Sequence, residues 1–557
     1  MTGARPGARP RLVGWGLAVA TTLAVIVNQR GVGIARDEVV YMQSGAHYAD
    51  WWIGLVTLQH GVSEASITRG FGGPGATDNN REHPPAMKTL FGLSERLLHR
   101  ALGVDEVTAF RAPSAVLHGV LVLLVFTMVL ELWGLAQAVV AALLIALLPR
   151  ALFHAGLACF DAPSMTLWFA TVYAYWRGLD RRWPWQVGVV WGLALATKHT
   201  ALLVPFALGL HYAIVGIAEL RARGDGRPRA LAAVRTVLGH RWRVIASLAV
   251  LGPLTLIAVW PWLWFSPVHH VRDWLAFHLG HIHYNYEYLG RNWNAPPFPW
   301  HVAPVTTLFT VPAATLAAAL IGAGVWLAGR GRLPRAPALL LALSAGASIA
   351  PFVLGTTPIF GAEKHWMPVL PTIGIAAGVG AVWAARAAVQ AMARLRLPAA
   401  SERIAIAAVA GCVVLAAAAE TQVAEPYALT WYSALAGGAP GGADLGMNRQ
   451  FWGVAMRGAL GPLAAAAPPA GTTYVYTHDA SPAWGLYQRE GLVPPTLLDA
   501  GREQAGIERS DLAVVIHELH FRRHDYLIWS SYRTVQPIYV LTSDGVPIAS
   551  VYRRPPR

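Results

Sequence analysis

The stretch Ala112–Leu132, APSAVLHGVLVLLVFTMVLEL, decides the fold class of this chain. It is apolar almost throughout, and its one charged residue, Glu131, comes at its end. A helix of about 17–25 apolar residues is long enough to cross the hydrocarbon core of a bilayer. The stretch therefore predicts a membrane-spanning helix.

Ten further apolar runs follow the same pattern along the chain. They lie at Leu12–Val27, Ala136–Pro149, Pro163–Trp176, Trp185–Ala196, Ala201–Ile217, Val244–Trp262, Val302–Ala328, Ala336–Leu354, Trp366–Ala385 and Ile404–Ala419. Together the runs predict a mostly α-helical, polytopic membrane protein with about 11 transmembrane helices.

The composition supports this fold class. Of the 557 residues, 55% are hydrophobic and 13% are charged, whereas soluble proteins have about 25% charged residues. This excludes an ordinary soluble enzyme and a disordered chain. The net charge of +14 would raise the question of nucleic-acid binding in a soluble protein. Here the arginines lie in short loops between apolar runs, so we expect no nucleic-acid partner.

The positions of the arginines predict the topology. Short cytoplasmic loops are rich in Lys and Arg, and such loops occur at Arg177–Trp183, Arg221–Arg243, Arg330–Arg335 and Arg386–Arg403. The first apolar run follows a basic N-terminus and resembles a signal peptide, but no convincing small-residue cleavage site follows it. We expect it to remain as a span with the N-terminus in the cytoplasm. Eleven spans then place the C-terminal segment on the periplasmic or extracellular side.

The predicted spans divide the chain into two parts. Residues 1–419 form a transmembrane part with large outer loops at 30–111 and 261–301. Residues 420–557 are polar enough to form a soluble α/β domain. Strand patterns occur at Thr472–Thr477, Leu512–Ile516, Pro537–Leu541 and Val546–Tyr552, with helices near Phe451–Leu463 and Ala483–Glu490.

Acidic residues cluster in the first outer loop. Asp37 and Glu38 follow the first span, with Tyr41 next to them, and Glu82 and His83 precede a Pro-Pro pair later in the loop. A single acidic residue beyond a span is often only an interfacial charge. Two clusters in one loop indicate a site.

Asp161 lies close to membrane depth between the third and fourth spans. An ionisable residue is costly there and is a functional candidate. The alternative is a helix N-cap, because Asp161 precedes Pro163 at the start of a helix.

The lysines of the chain are Lys88, Lys198 and Lys364, against 44 basic residues in all. In the predicted topology all three face the outer side. They are candidates for binding an anion through a compact ammonium group. The alternative is that they extend to the membrane interface.

The loop 261–301 is rich in histidine and aromatic residues. Trp262 and Tyr284 suit contact with a sugar head group, and Arg272 adds a cation. A re-entrant or interfacial helix is the alternative, because Trp and Tyr are common at membrane interfaces. The clustered histidines could bind a metal, but no acidic ligand lies at zinc spacing. Cys159 and Cys412 form no disulfide or metal pattern, so we expect no metal and no cofactor.

An ordered series of motifs resembles a known family. The series comprises Asp37-Glu38, His83-Pro84-Pro85, Arg111-Ala112-Pro113, Asp161-Ala162-Pro163, Thr197-Lys198, Pro261-Trp262 and Lys364…Pro368…Pro371. It is similar to that of the polyprenyl-phosphate-dependent glycosyltransferases of the type C fold. The resemblance is to bacterial members of the dolichyl-phosphate-mannose protein O-mannosyltransferase and lipid A aminoarabinose transferase family.

The resemblance implies transfer of a sugar from a polyprenyl-phosphate carrier to a protein, lipid or glycan acceptor. The reaction would take place at the outer face of the bacterial inner membrane, with inversion at the anomeric carbon. A carboxylate near the membrane is a suitable base for the acceptor hydroxyl, and Asp37 is the first choice. Cations on the leaving phosphate stabilise the transition state.

These roles give a set of candidate residues. The expected catalytic residues are Asp37, Glu38 and Asp161; the expected phosphate ligands are Lys88, Lys198, Arg272, Lys364 and His83; the expected acceptor or sugar contacts are Tyr41, Glu82, Trp262 and Tyr284. A transporter or flippase for a lipid-linked sugar is the alternative function. A catalytic site requires Asp37, Asp161 and Lys364 to converge, whereas a transport pathway would spread them across the bilayer. A noncatalytic membrane scaffold fits the separated acidic residues poorly.

Overall fold

The structure is a computed structural model. It describes residues 8–73, 79–222, 242–281, 285–329, 335–359, 361–396, 398, 401–468 and 471–556. The helices of the first half are Ala8–Asn28, Arg36–Val56, Glu64–Phe71, Ala86–Ser94, Glu106–Leu132, Leu135–Ala146, Pro149–Ala155, Asp161–Gly178, Trp185–Leu195, Val204–Ala222, Trp242–Ala246, Gly252–Val259 and Pro267–Leu279. Those of the second half are Val302–Thr310, Ala313–Ala328, Arg335–Val353, Leu370–Arg394, Glu402–Ala424, Gly438–Asp444, Met456–Ala466, Trp484–Arg489, Gln504–Arg509 and Arg522–Tyr532.

The chain is a multi-pass membrane protein. Within the described ranges, 7 helical segments are long and apolar enough to cross a membrane, or up to 9 if two bent helix pairs each count as one span. The seven are Ala8–Gly31, Glu106–Leu132, His199–Ala218, Trp242–Val259, Ala336–Val353, Met367–Arg394 and Glu402–Ala424. Every apolar run of the sequence analysis contains helix, but the count of eleven spans stays a prediction.

Two predicted spans differ in detail from the structure. The run Val302–Ala328 is not one straight helix, because it bends by 118° between Thr310 and Ala313. Pro312 lies at this break, where its ring and missing N–H prevent a continuous helix. The run Trp185–Ala196 forms a helix that ends at Leu195 and is shorter than a span.

Glycines set the closest packing between membrane helices. A Cβ atom at Gly322 would lie 1.9 Å from the carbonyl oxygen of Ala376, and one at Gly380 would lie 1.9 Å from that of Ala318. Only glycine lets the two backbones approach this closely. The helices Ala313–Ala328 and Leu370–Arg394 are thereby held together.

The C-terminal part contains a five-stranded sheet. Its strands are β3 (Thr473–Thr477), β4 (Leu497–Asp499), β5 (Leu512–Ile516), β6 (Tyr539–Ser543) and β7 (Val546–Arg553), in the order β4-β3-β5-β7-β6. The β3 pairings with β4 and β5 are parallel, and the other pairings are antiparallel. A separate hairpin joins β1 (Tyr286–Tyr288) and β2 (Arg291–Trp293).

One face of the sheet packs on the membrane part, and the other face packs on residues of the C-terminal part. Ile548 and Val551 of β7 belong to one buried cluster with Ile34, Val39 and Phe160 of the membrane part. The opposite face packs on Ile528 and Tyr532. This arrangement fixes the C-terminal part directly on the first outer loop, and the division of the chain at residue 420 stays a prediction.

Candidate active site

Two connected cavities lie between the first outer loop, the loop near residue 364 and the C-terminal part. The larger has a volume of about 660 Å³ and the smaller about 140 Å³. They share the wall residues Asp37, Tyr41, His83, His281, Lys364 and Trp452. The structure thus brings sequence-predicted residues from both ends of the membrane part to one place.

Asp37 lies at the junction of the cavities. The helix Arg36–Val56 begins one residue before it. The indole N–H of Trp452 donates a 2.9 Å hydrogen bond to its Oδ2, and the Nζ atom of Lys364 is 4.0 Å from the same oxygen. The side chain remains 30% exposed, so the carboxylate is oriented by its partners but still accessible from the cavity.

Asp161 and the two cavity lysines form a second group. Lys198 donates a 2.7 Å hydrogen bond from Nζ to Oδ1 of Asp161 and a 3.4 Å bond to the backbone carbonyl of Lys364. Asp161 is the first residue of its helix, but the N-cap is Phe160 and no side-chain cap is formed. The N-cap alternative for Asp161 is therefore wrong, and all three residues face the smaller cavity.

Lys364 is held against aromatic rings of the C-terminal part. Its Nζ atom lies 4.0 Å from the ring centroid of Trp452 and 5.9 Å from that of Phe451. Burial lowers the pKa of Lys364, and the carboxylates of Asp161 and Asp37 partly offset this effect. The ammonium thus has little water around it, and it lies in the wall that the two cavities share.

Glu38 has a different role from that of its neighbour. Its side chain is fully buried and forms two hydrogen bonds with Arg111, of 2.8 and 2.7 Å. It also accepts hydrogen bonds from the backbone N–H groups of Ala35 (2.8 Å) and Ala158 (2.7 Å). The prediction of a catalytic Glu38 is corrected, because its carboxylate has no access to the cavities and instead fixes the start of the helix that carries Asp37.

Lys88 is likewise not placed to bind a phosphate. Its ammonium is buried and donates to Tyr48 Oη at 3.0 Å and to the carbonyls of Asn80 at 2.5 Å and His83 at 3.0 Å. These bonds fold residues 79–85 over it. Lys88 therefore positions His83, which does line both cavities.

Glu82 lies on the side of His83 away from the cavities and lines neither of them. It accepts a 2.8 Å hydrogen bond from Asn80 and is 3.5 Å from His83. Burial raises its pKa, but the contact with His83 and the charge of Lys88 bring it down to about 2. Burial also lowers the pKa of His83, and Glu82 partly offsets that shift. Glu82 supports His83 and does not reach a substrate in the cavities.

The predicted contacts in the loop 261–301 are mostly elsewhere. Trp262 stacks on His270 at 4.2 Å in a buried aromatic cluster, and Arg272 is exposed on the helix Pro267–Leu279 and lines neither cavity. These two predictions are corrected. Tyr41 does line both cavities and packs at 4.1 Å on Phe160. Tyr284 lies outside the described residues.

The sequence analysis missed a buried network behind the site. His154 lies between Asp161, at 4.0 Å, and Glu363, at 3.7 Å. Arg150 pairs with Glu363 at 2.7 Å and donates to the carbonyls of Leu429 and Trp431 at the start of the C-terminal part. Arg150 and His154 are four residues apart in an apolar run, which places both on one helix face. This four-residue spacing of two basic residues is the sequence signal that could have predicted the network.

The C-terminal part supplies the roof of the larger cavity. Arg36 donates a 2.5 Å hydrogen bond to Asp479, and its backbone N–H donates to the carbonyl of Trp452 at 3.0 Å. Trp452 has a φ of 73°, which is unusual for a bulky residue and typical of a constrained site. Glu518 lines the same cavity. Burial raises the pKa of both Asp479 and Glu518; the charge of Asp37 adds to the shift of Asp479, and the charge of Asp479 adds to that of Glu518.

No group of three or more His, Cys, Asp or Glu side chains is placed to hold a metal ion within the described part of the chain. The expectation that no metal is required stays a prediction. Lysine side chains supply the positive charge of the smaller cavity.

Sequence comparison identifies the family that this region resembles. Residues 82–223 match the model of the dolichyl-phosphate-mannose-protein mannosyltransferases. This range includes His83, Asp161 and Lys198. A comparison with curated protein sequences finds no match.

Solved structures show the fold. ArnT from Cupriavidus metallidurans in the apo state is similar over 97% of this chain and 98% of its own, with a TM-score of 0.50 and 14% sequence identity. The same protein bound to undecaprenyl phosphate gives a TM-score of 0.50 over 98% of each chain, again at 14% identity. This chain has the type C glycosyltransferase fold. The family resemblance that the sequence motifs indicate is confirmed.

A further type C structure is more distant. The oligosaccharyltransferase AglB from Archaeoglobus fulgidus, in complex with an inhibitory peptide and a dolichol-phosphate, has a TM-score of 0.46 and 11% identity over 97% of this chain and 74% of its own. The matched family and these structures are glycosyltransferases.

Proposed function

We propose that this protein transfers one sugar from a polyprenyl-phosphate carrier to a hydroxyl group of a protein, lipid or glycan acceptor. The observation that carries the proposal is the position of Asp37, which lies between the two cavities with Lys364 4.0 Å away. A base and cations for a phosphate thus face the same space. The fold and family resemblance described above support a lipid-linked donor.

The two cavities suggest how the substrates are arranged. The smaller cavity, with Lys198 and Lys364, suits the phosphate of the carrier. The larger cavity, roofed by the C-terminal part, suits the acceptor. An acceptor that enters from the larger cavity meets the anomeric carbon on the side opposite the phosphate. This arrangement supports inversion.

The chemical step follows from this arrangement. The acceptor oxygen forms a bond to the anomeric carbon, and the bond between that carbon and the phosphate oxygen breaks. Asp37 takes the proton of the acceptor hydroxyl. The phosphate keeps the electron pair of the broken bond and gains negative charge, which Lys198 and Lys364 stabilise. Asp161 holds Lys198 in place through their 2.7 Å hydrogen bond.

The alternative of a transporter or flippase has less support. A transport pathway would spread Asp37, Asp161 and Lys364 along the membrane normal. Instead, Lys364 contacts Asp37, and its carbonyl contacts the lysine that pairs with Asp161. This convergence favours catalysis. The predicted location of the site at the outer face of a bacterial inner membrane is part of the same proposal.

The test uses purified protein in lipid nanodiscs, a set of polyprenyl-phosphate sugars and a minimal hydroxyl acceptor. We expect release of polyprenyl phosphate together with a glycosylated acceptor. Asp37→Asn should reduce turnover by about 10²- to 10⁴-fold, since it removes the general base but keeps the shape. The matched control is Asp50→Asn on the same helix, where the carboxylate is 58% exposed and pairs with Arg96. When the protein is placed in vesicles, movement of intact donor from one leaflet to the other without cleavage would favour the transporter instead.

A further inference from the structure

A pair of stacked histidines forms one wall of the smaller cavity. The rings of His199 and His278 are 3.8 Å apart with an interplanar angle of 25°. His83 meets His278 edge to face at 5.6 Å. His199 follows Lys198, whereas His278 lies near the end of the helix Pro267–Leu279. Three separate chain segments therefore place imidazole nitrogens around one small space.

Basic side chains outnumber acidic ones around this space. The basic side chains are Lys198, Lys364, His83, His199, His278, His281 and His365, and the carboxylates are Asp37 and Asp161. Lys364 and Lys198 already offset those two carboxylates. Glu82 stands behind His83 at 3.5 Å and is outside the cavity wall. An entering anion would thus face the remaining imidazoles.

The stacked geometry limits the protonation of the pair. Two imidazolium rings 3.8 Å apart repel each other strongly in a site with little water. Burial lowers the pKa of His278 to about 3, and the nearby His83 and His281 contribute to this shift. The Nε2 atom of His278 is buried and has no hydrogen-bond partner within the described part of the chain. The pair is therefore neutral when the cavity is empty, and both rings line the cavity wall.

The volume fits a phosphate group. The cavity of about 140 Å³ has room for a phosphate group, which has five heavy atoms.

We infer that His199 and His278 complete the phosphate-binding site of the lipid carrier and take up one proton together with the phosphate. This inference rests on the proposed function. The charge of the bound anion offsets the burial and the neighbouring basic groups that keep the pair neutral, so the proton enters with it. Affinity for the phosphate then rises as the pH falls, because binding and protonation are linked.

The experiment measures binding without turnover. The probe is a short polyprenyl methyl phosphate, a diester with no ionisation of its own between pH 6 and pH 8. We expect its affinity for the wild-type protein in nanodiscs to increase about fivefold or more between pH 8 and pH 6.5. In His278→Gln and His199→Gln the increase should fall below about twofold. The double variant should lose no more of this pH-dependent increase in affinity than either single variant loses, because the pair acts as a unit.

A control and a rescue make the test specific. His269→Gln on the same helix removes a histidine that is 69% exposed and should keep the wild-type pH dependence. His278→Arg should bind the probe with an affinity that no longer changes with pH, since arginine stays charged even in a site with little water. Inorganic phosphate should compete weakly with the lipid probe at pH 6.5. Thermal unfolding checks that each variant is folded.

Three results would overturn the inference. The first is wild-type pH dependence in His278→Gln and His199→Gln. The second is a wild-type affinity that does not change with pH. The third is equal pH-dependent binding of the uncharged polyprenol. If the probe binds with the expected pH dependence but no sugar is transferred, the result counts against the proposed function and leaves this inference intact. If sugar is transferred but binding does not change with pH, the result counts against this inference and leaves the proposed function intact.

Discussion

Arg36 and Asp479 are 443 residues apart in the sequence, yet the Arg36 guanidinium donates a 2.5 Å hydrogen bond to the Asp479 carboxylate. Arg36 directly precedes the proposed base, Asp37, and Asp479 follows β3 of the C-terminal sheet. The pair therefore fixes the roof of the larger cavity relative to the base. It is a positioning contact, because neither side chain needs to touch the reacting atoms.

Asp479→Asn tests this contact. The change keeps the shape of the side chain but removes the charge that holds Arg36, so the roof should loosen over the cavity. We expect kcat/KM to fall about tenfold, equivalent to about 1.4 kcal/mol, mostly through KM for the acceptor. The measurement is steady-state transfer at varied acceptor concentration.

A second ion pair between the same two parts of the chain provides the control for Asp479→Asn. Arg489 pairs with Glu106 at 2.8 Å, but the arginine is 59% exposed. Exposed pairs contribute little, so Arg489→Gln should keep kcat/KM within about twofold. An equal loss in both variants would show that any contact between the parts has the same effect, and that Arg36 has no special role.

Glu38→Gln should act on stability rather than on chemistry. The buried Arg111 would lose its anionic partner, and breaking a buried ion pair costs about 3–5 kcal/mol. We expect a large drop in the unfolding temperature of the protein in detergent, whereas Asp37→Asn next to it should change the temperature little. A stable but inactive Glu38→Gln protein would return Glu38 to the catalytic residues.

Lys364 gives a prediction about the phosphate. Lys364→Ala should lower turnover about 10²-fold or more, in the range seen when one stabilising donor is removed. Lys364→Arg should retain turnover within about tenfold of wild type, because arginine keeps the charge and also stacks on aromatic rings such as Trp452. Similar losses in the two variants would indicate that only the length of the lysine side chain matters.

The carboxyl group of Glu518 predicts a pH-dependent stability. Burial and the nearby charge of Asp479 raise its pKa, so this group binds a proton more tightly in the folded protein than in the unfolded chain. Stability should then decrease as the pH rises above the ordinary glutamate value of 4.5, by up to about 1.4 kcal/mol per pH unit for each proton. Unfolding temperatures between pH 6 and pH 8.5 measure this slope.

Glu518→Gln should flatten the pH slope, because glutamine stays neutral like the protonated acid. The exposed Glu508 provides the control, and Glu508→Gln should keep the slope of the wild type. A Glu518→Gln protein with an unchanged slope would assign the pH dependence to other groups.

The sequence predicts the fold class and the central residues of the site, because membrane helices and costly charges leave strong patterns. Asp161 and Lys198 stand out as ionisable residues in apolar surroundings, and the structure places them 2.7 Å apart. Lys88 stands out for the same reason, but its ammonium turns toward the carbonyls of Asn80 and His83. The direction of a side chain depends on the local loop, which residue types do not specify.

The sequence patterns do not predict contacts between segments that are far apart in the chain. His199 and His278 are ordinary histidines in two separate regions, and only the tertiary packing stacks them. Trp452 lies in the C-terminal part, and its bond to Asp37 depends on how that part packs. Patterns of period 2 or 3.6 describe single elements and do not specify which elements meet.

The contacts of Trp452 have a consequence for biosynthesis. This residue donates to Asp37 and covers Lys364, yet it is synthesised more than four hundred residues after Asp37. Domains generally fold as they emerge from the ribosome, beginning with the N-terminal part. A nascent chain therefore contains Asp37 and Lys364 before Trp452, which orients them, has been synthesised. The proposed reactive centre is therefore completed late in synthesis, and we expect a chain that ends before Trp452 to transfer no sugar.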